Sequence, residues 1–232
     1  MRKNLFQPLK LGRYELTNRI ALPPLTRCRS TQPGNIANEL MASYYRQRSS
    51  AGFMVTEGTV IEPRGRGYAW TPGIYTPEQV EGWKKVTKAV HNKDGKIYAQ
   101  LWHVGRMSHP YFHNGALPLA PSAVNPNDKV YTPEGFKDTV APKEMTQEDI
   151  EKTIADFKQA AIYAKEAGFD GVEIHSSNGY LFHQFFNNSS NKRTDDYGGN
   201  IVNKTRFFFE VLEEIKTVFP ENRIGIRRRP NF

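Results

Sequence analysis

Short runs of apolar residues alternate along the chain with longer segments in which apolar residues recur every three or four positions. The first pattern predicts buried strands, and the second predicts amphipathic helices. Five strands are predicted in this way, at residues 19–22, 53–56, 97–101, 171–174 and 224–226. Because strands and helices alternate, the sequence indicates an α/β fold with a parallel sheet.

Four helices are predicted between these strands, and each has a recognisable start. The first covers residues 37–50 and the last covers residues 203–218. The second follows Thr76, where a Thr cap, a first-turn Pro and an acidic residue favour a helix N-terminus. The third follows Thr146 and ends before Gly168. We interpret their apolar faces as core packing.

The segment of about residues 105–145, after the third strand, breaks the alternation. Prolines at six positions make a regular helix or a central strand improbable there; they are Pro110, Pro118, Pro121, Pro126, Pro133 and Pro142. Excursions of this length are usually lids or binding loops, and an unstructured insertion is the alternative.

The composition indicates a globular protein. A chain of 232 residues with 38% hydrophobic content can bury a core, and residues 1–232 are expected to form a single domain. The net charge of +8 comes from scattered basic residues. Because nucleic-acid binders cluster such charge, we expect no nucleic-acid partner, and a phosphate-bearing cofactor accounts for the charge equally well.

Other features point to a soluble, cytoplasmic protein. The single cysteine, Cys28, excludes an internal disulfide framework and a cysteine-rich zinc site, so no metal is expected. The first residues lack the apolar run of a signal peptide. No segment reaches the ~20 apolar residues that span a bilayer, so no membrane association is expected.

Repeated βα units build either an open doubly wound sheet or a closed barrel, and both place ligands at the carboxyl ends of the strands. No Gly-x-Gly-x-x-Gly follows the first strand, which weakens the case for a dinucleotide-binding sheet. A barrel needs eight strands, and five are predicted here.

Three polar residues follow the fourth predicted strand. His175 falls where the strand becomes a loop, and Asn178 and Tyr180 follow on a Gly-containing turn. The His and Asn could converge on one carbonyl or nitro oxygen and stabilise negative charge there, while the phenol could deliver a proton. On spacing alone, a partly buried His, a turn Asn and a core Tyr explain the pattern as well.

Seven segments between Leu5 and about Arg227 stand out together: LFQPLKLG, LTNRIALPPLTRCRS, YYRQRSSAGFMVTEGT, GYAWTPGIYTPEQVEGWKKVTKAVH, QLWHVGR, GFDGVEIHSSNGYLFHQFF and SNKRTDDYGGNIVNKTRFFFEV. In their order and wording, they resemble the Old Yellow Enzyme family, and most of all its bacterial N-ethylmaleimide reductase members. The resemblance implies a (β/α)8 TIM barrel of which about the first five βα units are present. It also implies an enzyme that binds FMN, takes hydride from NADPH and reduces the C=C bond of activated alkenes such as enones and maleimides.

The resemblance assigns the flavin contacts to strand ends. Pro24, Leu25 and Thr26 correspond to the segment that lies against the flavin, with the Thr26 hydroxyl bonding a ring carbonyl. Gly58 corresponds to a position after the second strand where a small residue lets the ring approach. Gln100 corresponds to the amide that pairs with the pyrimidine edge of the flavin.

It also assigns the catalytic and substrate-binding groups. His175 and Asn178 correspond to the pair that grips the substrate oxygen, and Tyr180 corresponds to the acid that protonates carbon. Tyr68 and Trp102 correspond to residues that line the substrate pocket.

Two further residues are interpreted through the same resemblance. Arg227 corresponds to the cation beside the anionic edge of the reduced flavin. Cys28 is expected to be inert, because Thr26 occupies the position where some family members carry a redox-tuning cysteine.

Members of the family continue past the point where this sequence stops, and their continuation carries the last strands and most of the phosphate site. We therefore expect weak FMN binding or none, unless self-association or a complementing chain closes the open sheet edges. The alternative function is that of a non-catalytic fragment that acts through association with another chain.

Overall fold

The structure is a computed structural model and describes residues 2–229. Its helices are α1 (Arg2–Leu5), α2 (Glu39–Arg46), α3 (Pro77–His91), α4 (Gln147–Glu166), α5 (Leu181–Phe186) and α6 (Ile201–Lys216). Its strands are β1 (Leu9–Leu11), β2 (Tyr14–Leu16), β3 (Ala21–Leu22), β4 (Phe53–Val60), β5 (Ile97–Trp102), β6 (Leu119–Ala120), β7 (Lys129–Thr132), β8 (Gly135–Asp138), β9 (Lys143–Glu144), β10 (Gly171–His175) and β11 (Ile224–Arg227).

Five strands form one parallel sheet in the order β3, β4, β5, β10, β11. Each of the five predicted strands is confirmed within a few residues. Neighbours in the sheet are also neighbours in the βα succession, whereas a doubly wound sheet reverses its strand order. The structure therefore favours the barrel architecture over the open sheet. Among the described residues, α2, α3, α4 and α6 follow the first four strands, and no helix follows β11.

The core lies between this sheet and its helices. Every residue of β5 and β10 is buried, as expected for parallel strands covered on both faces. The largest fully buried side chains include Trp83 of α3, Phe157 of α4 and Phe207 of α6. The apolar faces that the sequence assigns to core packing are thus the faces turned to the sheet.

Local sequence signals explain where the long helices begin and end. The Thr76 side chain accepts a hydrogen bond from the Gln79 N–H, and Thr146 does the same with Asp149, which completes a capping box in each case. Gly168, with φ +85°, follows the last turn of α4. The first predicted helix is shorter than expected because Asn38 caps its start and residues 47–51 form tight turns.

The segment of residues 105–145 contains no central strand, in agreement with its prolines. It does contain short pairs that the sequence did not predict. Strands β7 and β8 form an antiparallel hairpin, and β6 pairs with β9 in parallel. The sequence also did not predict α5 or the β1–β2 hairpin. Within residues 2–229, no helix is long and apolar enough to cross a membrane.

Candidate active site

The site lies at the carboxyl ends of the central strands, where the parallel register brings distant residues side by side. Gly58 pairs with Gln100 across β4 and β5, and His175 pairs with Arg227 across β10 and β11. Gln100 in turn pairs with Glu173 across β5 and β10. The predicted residues Gly58, Gln100, His175 and Arg227 therefore lie along one edge of the sheet.

A tight turn after β10 returns the chain toward the sheet. The Tyr180 N–H donates to the Ser177 carbonyl over 3.2 Å, and Asn178 and Gly179 between them have φ of +59° and +79°. Two successive left-handed residues define a type I′ turn, which Asn and Gly tolerate best. The Asn-Gly pair is therefore what places the Tyr180 ring next to His175.

Four aromatic rings form a cluster at this edge. Trp102 stacks on Tyr68 with ring centroids 5.4 Å apart, and on His175 at 6.5 Å. Tyr180 meets Trp102 and His175 edge-on, at 5.0 Å from each. The hydroxyls of Tyr68 and Tyr180 are 3.1 Å apart and share a hydrogen bond. The structure thus brings together four of the predicted site residues.

Gly58 lies within a strand and beside the Trp102 ring. It lies inside β4 and not after it, at an irregularity in the pairing with β5. A Cβ atom at this position would come within 2.5 Å of Trp102 Cε3. The prediction of its place after the strand was wrong, because β4 continues to Val60. Because glycine has no side chain, the Trp102 indole can pack directly against the β4 backbone at this position.

His175 is buried and neutral at ordinary pH. Burial, together with a smaller effect from the positive charge of Arg227, lowers its pKa to about 4. The Ser177 N–H lies 3.4 Å from Nδ1, which assigns the acceptor role to Nδ1 and the proton to Nε2. Among the described residues nothing accepts that Nε2 proton, so the ring can donate a hydrogen bond to a substrate.

Tyr180 keeps its proton over the whole physiological range. Burial raises the pKa of its hydroxyl well above 10, and the neighbouring Tyr68 hydroxyl raises it further. A neutral phenol beside a neutral imidazole can act as a proton donor without any competing charge.

Asn178 lies at the rim of the site and is exposed. Within the described part of the chain, no hydrogen bond joins its side chain to His175 or Tyr180. The structure thus places Asn178 beside the aromatic cluster and not inside it, with its amide available to a ligand.

The loop after β3 carries Pro24, Leu25 and Thr26. The Leu25 and Thr26 side chains are exposed, and the Arg27 N–H that follows them donates to Glu57 Oε2 over 2.9 Å. Glu57 is buried on β4, and burial raises its pKa to about 7. Sequence reasoning missed this anchor, because a carboxylate in a strand gives no sign of a partner thirty positions away.

Glu173 is a second residue that sequence reasoning left without a function. Its Oε1 accepts from the Gln100 side-chain amide and from Arg227 Nε, both over 2.7 Å, and its Oε2 accepts from Arg227 Nη2 over 3.0 Å. The strand alternation that places it on the same side of β10 as His175 was the available signal.

Several polar groups at this edge have no hydrogen-bond partner among the described residues, and they fit a flat heteroaromatic cofactor. Trp102 Nε1 is buried without a hydrogen-bond partner in residues 2–229. The Gln100 side chain uses its NH₂ group to bond Glu173, and its amide oxygen accepts no hydrogen bond from the described residues. The exposed Thr26 hydroxyl and Leu25 side chain add a polar and an apolar contact. No group of three or more potential metal ligands is present in the described residues.

Comparison with known proteins decides the family. The sequence profile of the NADH:flavin oxidoreductase / NADH oxidase family matches residues 4–231. The solved structure of the old yellow enzyme homologue from Zymomonas mobilis superimposes with a TM-score of 0.93 and 40% identity, over 97% of this chain and 62% of that one. The chain belongs to the Old Yellow Enzyme family.

Two further relatives of this Old Yellow Enzyme family member are informative. Morphinone reductase in complex with tetrahydroNAD has a TM-score of 0.92 and 44% identity, covering 97% of this chain and 63% of that one. The 12-oxophytodienoate reductase 1 of Oryza sativa subsp. japonica is 43% identical over 229 residues, which are 97% of this chain and 58% of the relative. The chain thus spans about three fifths of the length of these relatives.

Proposed function

We propose that this chain supplies the substrate-binding and ring-facing part of an FMN-dependent reductase of activated alkenes such as enones and maleimides. The observation that carries the proposal is the cluster of a neutral His175, a protonated Tyr180 and Trp102 at the sheet edge. Family membership and the names of the relatives, an oxophytodienoate reductase and a morphinone reductase, support the same class of reaction.

The cofactor-facing residues are those at the ends of the first strands and β11. Pro24, Leu25 and Thr26 would contact the ring, Gln100 would pair with its polar edge, and Arg227 would lie near its electron-rich side. FMN, when bound, supplies the hydride that it has taken from a nicotinamide coenzyme. The tetrahydroNAD complex of morphinone reductase supports a nicotinamide reductant. Of the two nicotinamide coenzymes, we propose NADPH, as the family resemblance implies.

His175 and Asn178 would bind the substrate oxygen. The His175 Nε2–H would donate one hydrogen bond to that oxygen, and the exposed Asn178 amide would donate a second. Both donors withdraw electron density from the conjugated C=C bond, so the β-carbon becomes a better hydride acceptor. Because the imidazole is neutral, this polarisation does not depend on pH near neutrality.

Tyr180 would give its proton to the α-carbon as the β-carbon receives hydride. The C=C bond is reduced to a single bond, and the phenolate left behind is reprotonated from solvent. The Tyr68 hydroxyl, 3.1 Å away, raises the pKa of Tyr180 in the resting protein, so it would have to turn and donate its own proton before it could stabilise that phenolate.

The test is the conversion of cyclohexenone to cyclohexanone by the chain supplied with FMN and NADPH. The Tyr180→Phe variant is expected to form product ~10²-fold or more slowly, which is the usual worth of a general acid. Tyr163→Phe is the matched control, because Tyr163 packs against the core in α4 and its hydroxyl has no hydrogen bond within residues 2–229; this variant should retain the rate of the unmodified chain. No product from a chain with bound FMN, or an unimpaired Tyr180→Phe variant, would contradict the proposal.

A second candidate function is that of a fragment that acts through association. Strands β3 and β11 each pair on one side only within the described residues, and unpaired edges readily accept another strand. The partner would be a second copy or a complementing chain. Light scattering that shows a monomer at all concentrations, without any bound flavin, would argue against this function. The single cysteine fits a reducing compartment such as the cytoplasm for either function.

A further inference from the structure

Glu173 stands at the centre of the cofactor-facing edge. It lies in the middle of β10, in register with Gln100 of β5 on one side and with Gly225 of β11 on the other. Its side chain is 11% exposed, and Gln100 is buried. A carboxylate in such a position is costly unless its oxygens are satisfied.

The partners of Glu173 are two of the residues proposed to face the flavin. Arg227 donates to both carboxylate oxygens, in the bidentate geometry that fixes a guanidinium most firmly. Gln100 donates to Oε1 over 2.7 Å. In residues 2–229 Glu173 is the only hydrogen-bond partner of either side chain.

One carboxylate therefore determines two properties of this edge. Because the Gln100 NH₂ group is turned to Glu173, its amide oxygen is presented elsewhere, as an acceptor suited to an N–H on a heteroaromatic ring. Because Arg227 is paired with an anion, its positive charge is partly neutralised at the place where the ring gains electrons.

We propose that Glu173 is a positioning residue, which sets the orientation of the Gln100 amide and the net charge around Arg227 at the cofactor face. The consequence for the cofactor rests on the proposed function, whereas the positioning itself is a property of this chain alone. Removal of the carboxylate would free the amide to rotate and leave Arg227 as an uncompensated cation.

The first arm of the test uses the chain without flavin. Side-chain NMR resonances of the Arg227 Nε–H and the Gln100 NH₂ are followed in the unmodified chain, in Glu173→Gln and in Glu173→Ala. We expect hydrogen exchange of the Arg227 Nε–H to accelerate at least ~10-fold in both variants, the equivalent of losing one hydrogen bond, and the Gln100 resonances to shift. Glu214→Gln, which removes the carboxylate partner of Lys158 in the ion pair between α4 and α6, should leave both signals unchanged.

Gln has nearly the same shape as Glu, so we expect the Glu173→Gln variant to remain folded. Circular dichroism checks that both variants are folded. Unchanged exchange of Arg227 and unchanged Gln100 resonances in a folded Glu173 variant would overturn the proposal.

The second arm measures the reduction potential of bound FMN. Glu173→Gln should shift the reduction equilibrium toward reduced flavin by about tenfold, about 30 mV for a two-electron couple. Replacement of a residue with a purely structural role would not raise the reduction potential of the flavin. An unchanged or lowered potential in Glu173→Gln therefore contradicts the electrostatic part of the proposal. If no FMN binds even when further strands from a relative complete the sheet, the proposed function fails, and the NMR arm still decides whether Glu173 positions its neighbours.

Discussion

At the scale of single residues, His175 makes stability depend on pH. Its pKa is about 4 in the folded chain and near 6.5 in the unfolded chain, so between these values only the unfolded chain binds the proton. Acid therefore favours unfolding in this range. Urea unfolding measures the free energy of unfolding at pH 7 and at pH 5.5. We expect this free energy to fall by about 1 kcal/mol more in the unmodified chain than in His175→Asn. Equal losses in the two proteins would contradict the burial of a neutral imidazole.

The sequence predicts the catalytic candidates at the strand ends better than the acidic residues within the strands that support them. His175 and Tyr180 follow a recognisable strand and an Asn-Gly turn, so their place at the strand ends can be inferred from spacing. Glu57 and Glu173 are single acidic residues within strands, and their partners Arg27 and Arg227 lie far away in sequence. Only the register of the folded sheet brings these groups together.

At the scale of elements, the close approach of β4 and β5 depends on Gly58. In Gly58→Ala the new methyl group would meet Trp102 at 2.5 Å, so the indole must move. We expect a loss of about 1–3 kcal/mol in the free energy of unfolding, together with a shift in tryptophan fluorescence. Gly225→Ala is the matched strand control, since its Cβ would find its nearest heavy atom at 3.6 Å. Equal losses of stability in Gly58→Ala and Gly225→Ala would argue against a special role of Gly58 in the packing of β4 on β5.

The start of α4 depends on its capping box. In Thr146→Ala the Asp149 N–H loses its acceptor, and we expect the free energy of unfolding to fall by about 1 kcal/mol in chemical denaturation. Thr146→Ser retains the hydroxyl and should restore most of the loss. A Thr146→Ala variant as stable as the unmodified chain would show that other contacts hold this turn.

The elements with such local signals are the ones that the sequence predicts. Helices α3 and α4 begin at their Thr caps, and the five sheet strands coincide with apolar runs. By contrast α5 is only six residues long, and the β7–β8 hairpin lies in a proline-rich segment, so neither has enough periodicity to be recognised. These two elements are held by contacts with the rest of the chain more than by local preference.

At the scale of the whole molecule, the sequential order of five parallel strands follows the barrel pattern, and the two outer strands each lack a second neighbour in the described residues. The residues proposed to face the ring lie in these five strands and in the loop after β3. We propose that the contacts to the FMN phosphate come from the part of the relatives that lies beyond the matched three fifths of their length. The chain would then hold the ring side of the cofactor and depend on further strands for its phosphate.

The division of the FMN site between this chain and further strands is tested most directly by a fluorescence titration with FMN. It compares the chain with a version joined after Arg227 to the corresponding remainder of the Zymomonas mobilis homologue. We predict that the joined protein binds one FMN at least ~100-fold more tightly, as expected from two charge-assisted hydrogen bonds to the phosphate. A folded joined protein that binds no FMN, or an isolated monomeric chain that is already yellow with one FMN per molecule, would contradict the account.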